Sequence, residues 1–492
     1  MNDDVFDLIG QAMHAGGAES GFDLLAQRLR EDKNYPLLFE ARVIEQRHKM
    51  GLPPLRVDGL DDIPAGQRDA YEAALAQAAQ EVGSLFLADG DIARAWPYFR
   101  AVGDREPVRA AIEKLDSAED VVIQIALEER VHPRKGFELL LARYGICRAI
   151  TYFEQYADRE TREQCIILLV RTLHRELLES LRRAISQRQG TVPPGESVPE
   201  LIRERDWLFG DLDYYVDTSH LVAVIRFALD LADPQALRLA IELCEYGKHL
   251  SPQFKYRADP PFDDVYVDHA AYLSALAGEN VDACIGHFLA KVREADPNLI
   301  GTAPAQVLVA LLTRLKRYQD AIQISLELAQ DHLDGKDTNQ SAREAARWAR
   351  QAADYGSIDG EALLGHILFE GDDSFRQPVD GLMYLQIALT RSRGSVQWIL
   401  DMHEEARSIA TPAEWNAARQ RADQWFAANP AAMTVTANPP PVGDGAIASN
   451  ASAANAAPRA PTAPMTPGAL GGSAEFAPTV AQMVPPINVP TN

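Results

Sequence analysis

The sequence predicts an all-α protein, built as an α-solenoid of stacked helical hairpins. Apolar side chains recur every three or four residues along most of the chain, which is the spacing of one face of an α-helix. Alternating apolar and polar runs are nearly absent, and the best strand candidate, 264–267, is too short to build a sheet. The 492 residues, 47% of them hydrophobic, exceed one ordinary domain, whereas helical arrays grow by adding units.

The predicted helices are apolar stripes, separated by breaks that contain several prolines each. Clear stripes run through 73–87, 137–153, 165–181, 221–231, 236–243 and 271–288. The stripe at 137–153 predicts one buried face made of Phe137, Leu140, Leu141, Tyr144, Cys147 and Phe153. The breaks fall at 51–66, 188–199 and 251–262, where proline removes backbone donors and prevents a helix from continuing.

The composition changes abruptly from Asn429 onward. Twelve of the chain's 30 prolines lie between Pro430 and Pro490, with alanine, asparagine, threonine and glycine between them. Such a segment buries too little apolar surface to offset the entropy lost on ordering, so we predict a disordered tail. The chain is then divided into an N-terminal helical segment (1–62), a degenerate helical-repeat region (63–300), a clearer repeat segment with a capping helix (301–428) and the tail (429–492).

The charge of the chain argues against a nucleic-acid partner. The formal net charge is −23, and no run of lysine or arginine is long enough to form a basic stripe. An acidic surface repels phosphate backbones. No membrane association is predicted either, because no window approaches the roughly 18–20 apolar residues of a spanning helix and the first ten residues hold acids where a secretory signal would be basic. These features predict a soluble, cytoplasmic protein.

The segment 308–330 has the pattern of a helical hairpin. An apolar helix is followed by a tight basic turn and by a second helix that begins with Tyr318, Ala321 and Ile322. A small residue such as Ala321 lets two helices approach closely, and Tyr318 fills the space beside the turn. The segment resembles a tetratricopeptide-type hairpin.

The segment 345–389 resembles Sel1-type repeats. Small, apolar and acidic residues stand at the positions expected for that family: Ala352, Ala353, Gly356, Ala362, Leu364, Gly365, Gly371, Asp380 and Ala388. Gly381 departs from the pattern, since the family usually has alanine there. Alanine and glycine permit close backbone approach where helices cross, and we expect Gly356 and Gly371 to end helices in the left-handed conformation.

A closing helix is specified by its first residues. Thr411 is a predicted N-cap, Pro412 occupies the first helical position and Glu414 the third. A terminal helix with a polar outer face is what a helical array needs as a cap. The resemblance to both repeat families therefore covers about 308–427, and it implies an adaptor that holds other proteins on a concave helical surface.

Aromatic and acidic residues are concentrated in 203–220, which is the strongest candidate for a binding site. The proposed binding residues are Trp207, Phe209, Tyr214, Tyr215 and Asp217. Aromatic side chains flanked by acids suit a partner that carries lysine or arginine. A simpler interpretation is that Asp217 is the N-cap of a helix that starts near Ser219, with the aromatic rings packed between helices.

A metal site is the alternative for the same region. Oxygen and imidazole ligands for a divalent ion could come from Asp217, His220, Asp268 and His269. No HExxH pattern or glycine-rich phosphate loop accompanies them. The metal content of the purified protein would distinguish this alternative.

The four cysteines, Cys147, Cys165, Cys244 and Cys284, are widely spaced within apolar stripes and form no CxxC pair. They are predicted to be buried free thiols. Cys147 and His174 could be drawn as a nucleophile and its base, but a thiol on the apolar face of a helix is typical of a core residue.

The sequence thus predicts a non-enzymatic helical-repeat scaffold or adaptor without a cofactor. Its partner would be a protein or peptide, favoured if basic, bound in an acidic groove that contains aromatic residues. The first alternative is a metal-dependent hydrolase that uses the Asp/His cluster. The second is a self-assembling structural protein, whose sedimentation would shift with concentration. No oligomeric state is predicted.

Overall fold

The computed structural model describes residues 3–54, 63–156, 160–191, 195, 197–335, 341–371 and 375–433. Across these residues the chain is helical, with no β-strand, so the predicted all-α class is confirmed. The described residues form two compact units, and the first ends at Leu169 and the second begins at Val170. That boundary falls inside one long helix, Arg162–Gln189.

Helices of the first unit follow one another with short connections. Their bounds are α1 Asp3–Glu31, α2 Tyr35–Lys49, α3 Arg68–Ala88, α4 Ile92–Ala101, α5 Glu106–Glu113, α6 Asp120–Leu127 and α7 Pro133–Tyr156, followed by α8, Arg162–Gln189. Consecutive helices pack on each other along this series: α2 on α3, α3 on α4 and α6 on α7.

The second unit continues with helices of similar length. Their bounds are α9 Val198–Ile202, α10 Thr218–Phe227, α11 Pro234–His249, α12 Val265–Leu276, α13 Val281–Glu294, α14 Pro297–Ile300, α15 Ala303–Arg314, α16 Tyr318–Asp334, α17 Ala342–Asp354, α18 Ile358–Glu370, α19 Pro378–Arg391, α20 Gln397–Ile409 and α21 Pro412–Ala428. From α15 to α20 each helix packs on the next helix along the chain, α16 and α18 also contact the next helix but one, and α21 packs on α19. Such nearest-neighbour packing is the signature of an α-solenoid.

The hairpin predicted at 308–330 is present as α15 and α16. Ala321 is fully buried at the start of α16 and lies in a continuous core that also contains Leu308 and Trp348. Tyr318 stands beside the turn with its ring centroid 6.0 Å from that of Tyr355. The hydroxyl of Tyr355 in turn lies 2.6 Å from the Thr313 hydroxyl. Ala321 therefore lets the two helices approach closely, and Tyr318 occupies the space beside the turn, as the sequence pattern predicts.

Glycine controls how α17, α18 and α19 are joined and packed. Gly356 follows α17 with φ +89°, so its predicted left-handed conformation is confirmed. Gly371 ends α18 with φ −52° and ψ 160°, so the same prediction was wrong there, because the chain leaves the helix in an extended conformation. Gly381 matters for packing: a Cβ there would lie 2.8 Å from the carbonyl oxygen of Gly365. The glycine that departs from the family pattern permits this close crossing.

The closing helix begins as predicted. The Thr411 hydroxyl accepts a hydrogen bond from the Glu414 N–H at 3.3 Å, and the Glu414 carboxylate accepts one from the Thr411 N–H at 2.9 Å. This reciprocal pair is a capping box, with Pro412 in the first helical position. Of the residues of α21, Ala418 and Ala422 are buried.

Two predicted stripes differ from the observed helices. The stripe at 271–288 is two helices, α12 and α13, separated by a turn with Asn280 in the left-handed region. The stripe at 137–153 is interrupted at Gly145, whose φ of 76° and ψ of 179° kink α7. Tyr144, the residue before the kink, is 48% exposed, so the predicted buried face ends at Leu141 in this part of α7.

The proline-rich breaks coincide with helix ends. Before the first break α2 ends at Lys49, α8 ends inside the second, and the third holds a short 3₁₀ turn, Pro252–Phe254. The short strand candidate at 264–267 belongs to α12, with Asp264 as its N-cap. Most of the predicted disordered tail, from 434 onward, lies outside the described residues, and the proposed domain boundaries remain predictions. No helix in the described part of the chain is long and apolar enough to cross a bilayer.

Candidate binding site

The aromatic loop, residues 206–217, connects α9 to α10 in the second unit. Two buried side chains anchor it at its ends: Leu208, in a 3₁₀ turn, and Val216 just before α10. The backbone N–H of Tyr215 donates to the hydroxyl of buried Tyr246 on α11 at 2.8 Å. The loop is therefore fixed by packing, by this hydrogen bond and by two turns of its own, in which the Phe209 N–H donates to the Asp206 carbonyl at 3.0 Å and the Asp213 N–H to the Gly210 carbonyl at 3.1 Å.

Trp207 and Phe209 lie half-buried at the first part of the loop. The guanidinium of Arg188, from α8, sits 4.3 Å from the centroid of the Trp207 ring, a cation–π contact. Phe209 stacks on His249 with 5.1 Å between ring centroids. These two predicted binding residues thus have partners within the protein.

The second part of the loop is open to solvent. Leu212 is 78% exposed and Tyr214 is 54% exposed, although the Tyr214 ring makes an edge contact with Phe254 at 5.2 Å. Tyr256, from the adjacent 251–262 segment, is 43% exposed. Tyr215 is half-buried beside them, and this burial raises the pKa of its hydroxyl. The structure therefore places Tyr214 at the surface and gives Tyr215 a mainly structural position.

Asp217 is the N-cap of α10, as the simpler interpretation of the sequence predicted. Its Oδ1 accepts from the N–H of Ser219 at 2.8 Å and from the N–H of His220 at 3.3 Å. The Ser219 hydroxyl also donates to Oδ1 at 2.5 Å. The Ser219 side chain and these N–H groups hold the pKa of the carboxyl below its usual range.

Replacing Asp217 with alanine should lower the free energy of unfolding by about 1 kcal/mol, the usual cost of losing an N-cap. Asp217→Asn should keep most of that stability, because an asparagine side chain also caps the helix. Urea denaturation of the two variants and the natural chain measures the difference. Equal losses in both variants would mean that the charge of Asp217, and not its capping geometry, stabilises α10.

The two residues of α12 that were proposed as metal ligands have other contacts. Asp268 is 1% exposed and accepts from His287 Nε2 at 2.7 Å, from Lys291 Nζ at 2.8 Å and from the Asp264 N–H at 2.8 Å. His269 is buried, with Nδ1 2.6 Å from the carbonyl oxygen of Val265.

Burial lowers the pKa of His269 to about 4, so this imidazole is neutral at physiological pH. The described part of the chain contains no group of three or more His, Cys, Asp or Glu side chains arranged to hold a metal ion. The set of Asp217, His220, Asp268 and His269 is divided between α10 and α12 and stays a prediction.

Sequence patterns did not predict a second concave surface, which lies in the first unit. This tyrosine groove, of about 840 Å³, is lined by α6, by α7 on both sides of its kink and by Cys165 at the start of α8. Its lining includes Tyr144, Tyr152 and Tyr156. In the sequence, the i, i+4 spacing of Tyr152 and Tyr156 places both on one face of a helix.

Cys147 requires a correction, because it is exposed, whereas Cys165, Cys244 and Cys284 are buried as predicted. The kink at Gly145 displaces the apolar face of α7 to Ile146, Ala149 and Ile150, which leaves Cys147 on the outside. Nε2 of His174, the base drawn for it from the sequence, lies 2.7 Å from Glu242 Oε2 within the second unit.

The helices and their packing define the class of this molecule as an all-α helical-repeat protein. Neither a protein-family model nor the sequence of a curated protein matches the chain. Among solved structures it is similar to c5321, a protective antigen present in uropathogenic Escherichia coli strains that displays an SLR fold. The two share 13% sequence identity with a TM-score of 0.24, over 87% of this chain and 93% of the antigen.

Proposed function

We propose that this protein is a non-enzymatic scaffold or adaptor that binds a protein or peptide partner at the aromatic loop. The observation that carries the proposal is the exposure of Leu212 and Tyr214 on a loop with a fixed backbone, with exposed Tyr256 in the adjacent segment. Large apolar side chains clustered at a surface mark interaction sites, and aromatic residues contribute much of the energy at such sites.

The backbone of the aromatic loop is fixed before a partner binds, and this favours a higher affinity for that partner. Leu208 and Val216 are buried at its two ends, and the Tyr215 N–H is bonded to Tyr246. A partner that docks on Leu212 and Tyr214 would therefore not have to order the backbone, and less binding energy would be lost to conformational entropy.

The charge around the loop favours a basic partner. Asp206, Asp211 and Asp213 are all exposed in the loop, and the chain as a whole carries a formal charge of −23. Exposed carboxylates beside tyrosine rings suit lysine or arginine side chains, which can pair with the acids and stack on the rings. Lys255 and Arg257 lie in the adjacent segment, so the loop itself is the acidic part of this surface.

The side chains with acid–base chemistry favour the scaffold over the hydrolase alternative. Asp217 is occupied as a helix cap, and Asp268 is occupied by a histidine, a lysine and a backbone N–H. Buried polar groups with full sets of partners are typical of structural networks.

The test is binding of lysine- and arginine-rich peptides to the full chain, compared with a Leu212→Ala/Tyr214→Ala variant. The best peptides should lose at least about tenfold in affinity, because both exposed anchors are truncated. Binding should also weaken as salt rises, since the attraction includes exposed charges. Trp207 is kept, because its ring supports Arg188.

Tyr318→Ala is the matched control, because Tyr318 is a tyrosine of similar exposure, 41%, elsewhere in the same unit. It should bind as the natural chain does. Equal binding by the double variant, or affinity that does not change between low and high salt, would contradict the proposed surface or its acidic character, respectively.

A further inference from the structure

A row of arginines runs along the part of α8 that belongs to the second unit. Between 170 and 184 the exposed positions recur every four residues, at Arg171, Arg175, Glu179 and Arg183. Side chains four apart are neighbours on a helix surface. From 170 to 189 the helix has five arginines and two glutamates, in a chain whose formal charge is −23. The arginine row, Arg171, Arg175 and Arg183, is therefore a basic surface on an acidic protein.

The arginine row has no partner in the part of the chain that the structure describes. Its three side chains form no ion pair or hydrogen bond with a described residue. The other two arginines of this part of α8 do have partners. Arg182 donates to the Gly195 carbonyl at 3.0 Å, and Arg188 lies over the Trp207 ring. The guanidinium groups of the row are therefore available to the carboxylates of a partner.

The aromatic loop carries the complementary charges. Asp206, Asp211 and Asp213 are exposed, and their carboxylates form no ion pair with a described residue. Leu212, between two of them, is 78% exposed. On α8, half-buried Leu178 lies on the same face as the first two arginines of the row, seven and three positions after them. Each surface thus combines unpaired charges with a leucine, and the charges are opposite in sign.

The loop and the first two arginines of the row are held apart within one copy of the chain. The loop lies at the C-terminal end of α8, where the Trp207 ring contacts Arg188, and the Tyr215 N–H fixes its backbone. Arg171 and Arg175 lie 17 and 13 positions before Arg188, which is about 26 and 20 Å along the helix axis. A loop that pairs with them therefore has to come from a second copy.

We propose that the chain associates with itself head to tail, with the aromatic loop of one copy docked on the arginine row of the next. The aspartates of the loop pair with Arg171 and Arg175, and Leu212 packs beside Leu178. This inference rests on the proposed function, because it names a second copy as the basic partner of the loop. Two different surfaces are joined, so the contact repeats from copy to copy and builds a ring or an open chain.

The test is sedimentation velocity of the full chain over a range of concentrations, at low and at high salt. The sedimentation coefficient should rise with concentration at low salt, and the rise should shrink at high salt because exposed charges are screened. Arg171→Glu/Arg175→Glu and Asp211→Lys/Asp213→Lys should each weaken self-association at least about tenfold, since like charges then face each other. All four positions are exposed, so circular dichroism should show an unchanged fold.

A mixture of the two reversed variants tests whether the contact joins different copies. Each variant alone opposes like charges, whereas in the mixture every loop can meet a row of opposite sign, so self-association should return. Arg343→Glu/Arg419→Glu is the matched control. It changes two exposed arginines elsewhere in the same unit and alters the net charge as much as Arg171→Glu/Arg175→Glu does. This control should associate as the natural chain does.

Four results would overturn the proposal: a chain that is monomeric at every concentration, self-association that neither reversal weakens, equal weakening in the control, or a mixture that stays monomeric. The binding of lysine- and arginine-rich peptides separates such a failure from a failure of the proposed function. If the chain is monomeric and the peptides still bind at Leu212 and Tyr214, the loop takes a basic partner other than a second copy. If the peptides do not bind either, both proposals are wrong.

Discussion

Gly365→Val is expected to lower the free energy of unfolding by about 3 kcal/mol, because the crossing of α18 and α19 has no room for the added side chain. A Cβ at Gly365 would lie 2.8 Å from the Gly381 carbonyl oxygen and 2.8 Å from the Leu385 backbone nitrogen. Both atoms belong to α19, so the clash can be relieved only if α18 and α19 move apart. Denaturant unfolding monitored by circular dichroism measures the loss.

Gly286→Ala is the matched control, since Gly286 lies in α13 and nothing is within 4 Å of its ideal Cβ position. This variant should gain about 0.5–1 kcal/mol, because alanine loses less backbone entropy in a helix than glycine does. A loss of stability at Gly365 together with a gain at Gly286 would show that the close helix crossing, and not helix propensity, causes the effect at Gly365. A loss at Gly365 below about 0.5 kcal/mol would contradict the close approach of α18 and α19.

The buried pair of Glu361 and Arg391 should make the stability of the protein depend on pH. Both side chains are 3% exposed, and the Arg391 guanidinium donates to Glu361 Oε1 and, at 3.0 Å, to the Gly356 carbonyl. Glu361 Oε2 has no hydrogen-bond partner among the described residues. Burial raises the pKa of Glu361 to about 7, although Arg391 opposes this shift.

The direction of the effect follows from the raised pKa. The folded state holds the Glu361 proton more tightly than the unfolded state, so this group stabilises the fold at low pH and that stabilisation is lost as pH rises through about 7. Glu361→Gln does not titrate. Relative to the natural chain, its free energy of unfolding should therefore rise by on the order of 2–3 kcal/mol between pH 5 and pH 8.

Glu405→Gln, at an exposed position of α20, should show no such change relative to the natural chain. Urea denaturation at pH 5, 6, 7 and 8 for the three proteins separates the contribution of Glu361 from that of other groups. If the difference in free energy of unfolding between Glu361→Gln and the natural chain did not change from pH 5 to pH 8, Glu361 would be ionised over that whole range. The attraction to Arg391 would then outweigh the effect of burial.

Structural features that depend only on residues close together in the sequence could be predicted from the sequence. The capping box at Thr411 and Glu414 and the N-cap at Asp217 were identified, because a cap and the N–H groups it satisfies lie within three residues. The hairpin turn around Tyr318 was predicted for a similar reason, since helix period and small residues specify it locally.

The kink in α7 could not be predicted in the same way. An isolated glycine in a helical pattern costs only about 1 kcal/mol, so Gly145 did not indicate whether the chain stays helical or bends. Its observed φ of 76° and ψ of 179° lie in a region that is essentially restricted to glycine. Gly145 therefore explains why Cys147, two residues after it, faces outward, while the buried face continues at Ile146, Ala149 and Ile150.

The candidate site was predicted only in part, because its contacts join distant segments. Asp268 is held by residues 19 and 23 positions further along the chain, and no local pattern pairs them. The aromatic residues of 203–220 were identified by composition. Their exposure depends on the segment around Phe254, which packs on the loop from outside it.

The nearest-neighbour packing of the second unit bears on how such a chain can change over evolutionary time. Because each helix from α15 to α21 contacts mainly helices one or two places away in sequence, the gain or loss of a whole hairpin disturbs only the interfaces next to it. A globular core would instead have to repack throughout. The array can therefore lengthen or shorten between α15 and α21 while the aromatic loop, which precedes it, keeps its own anchors.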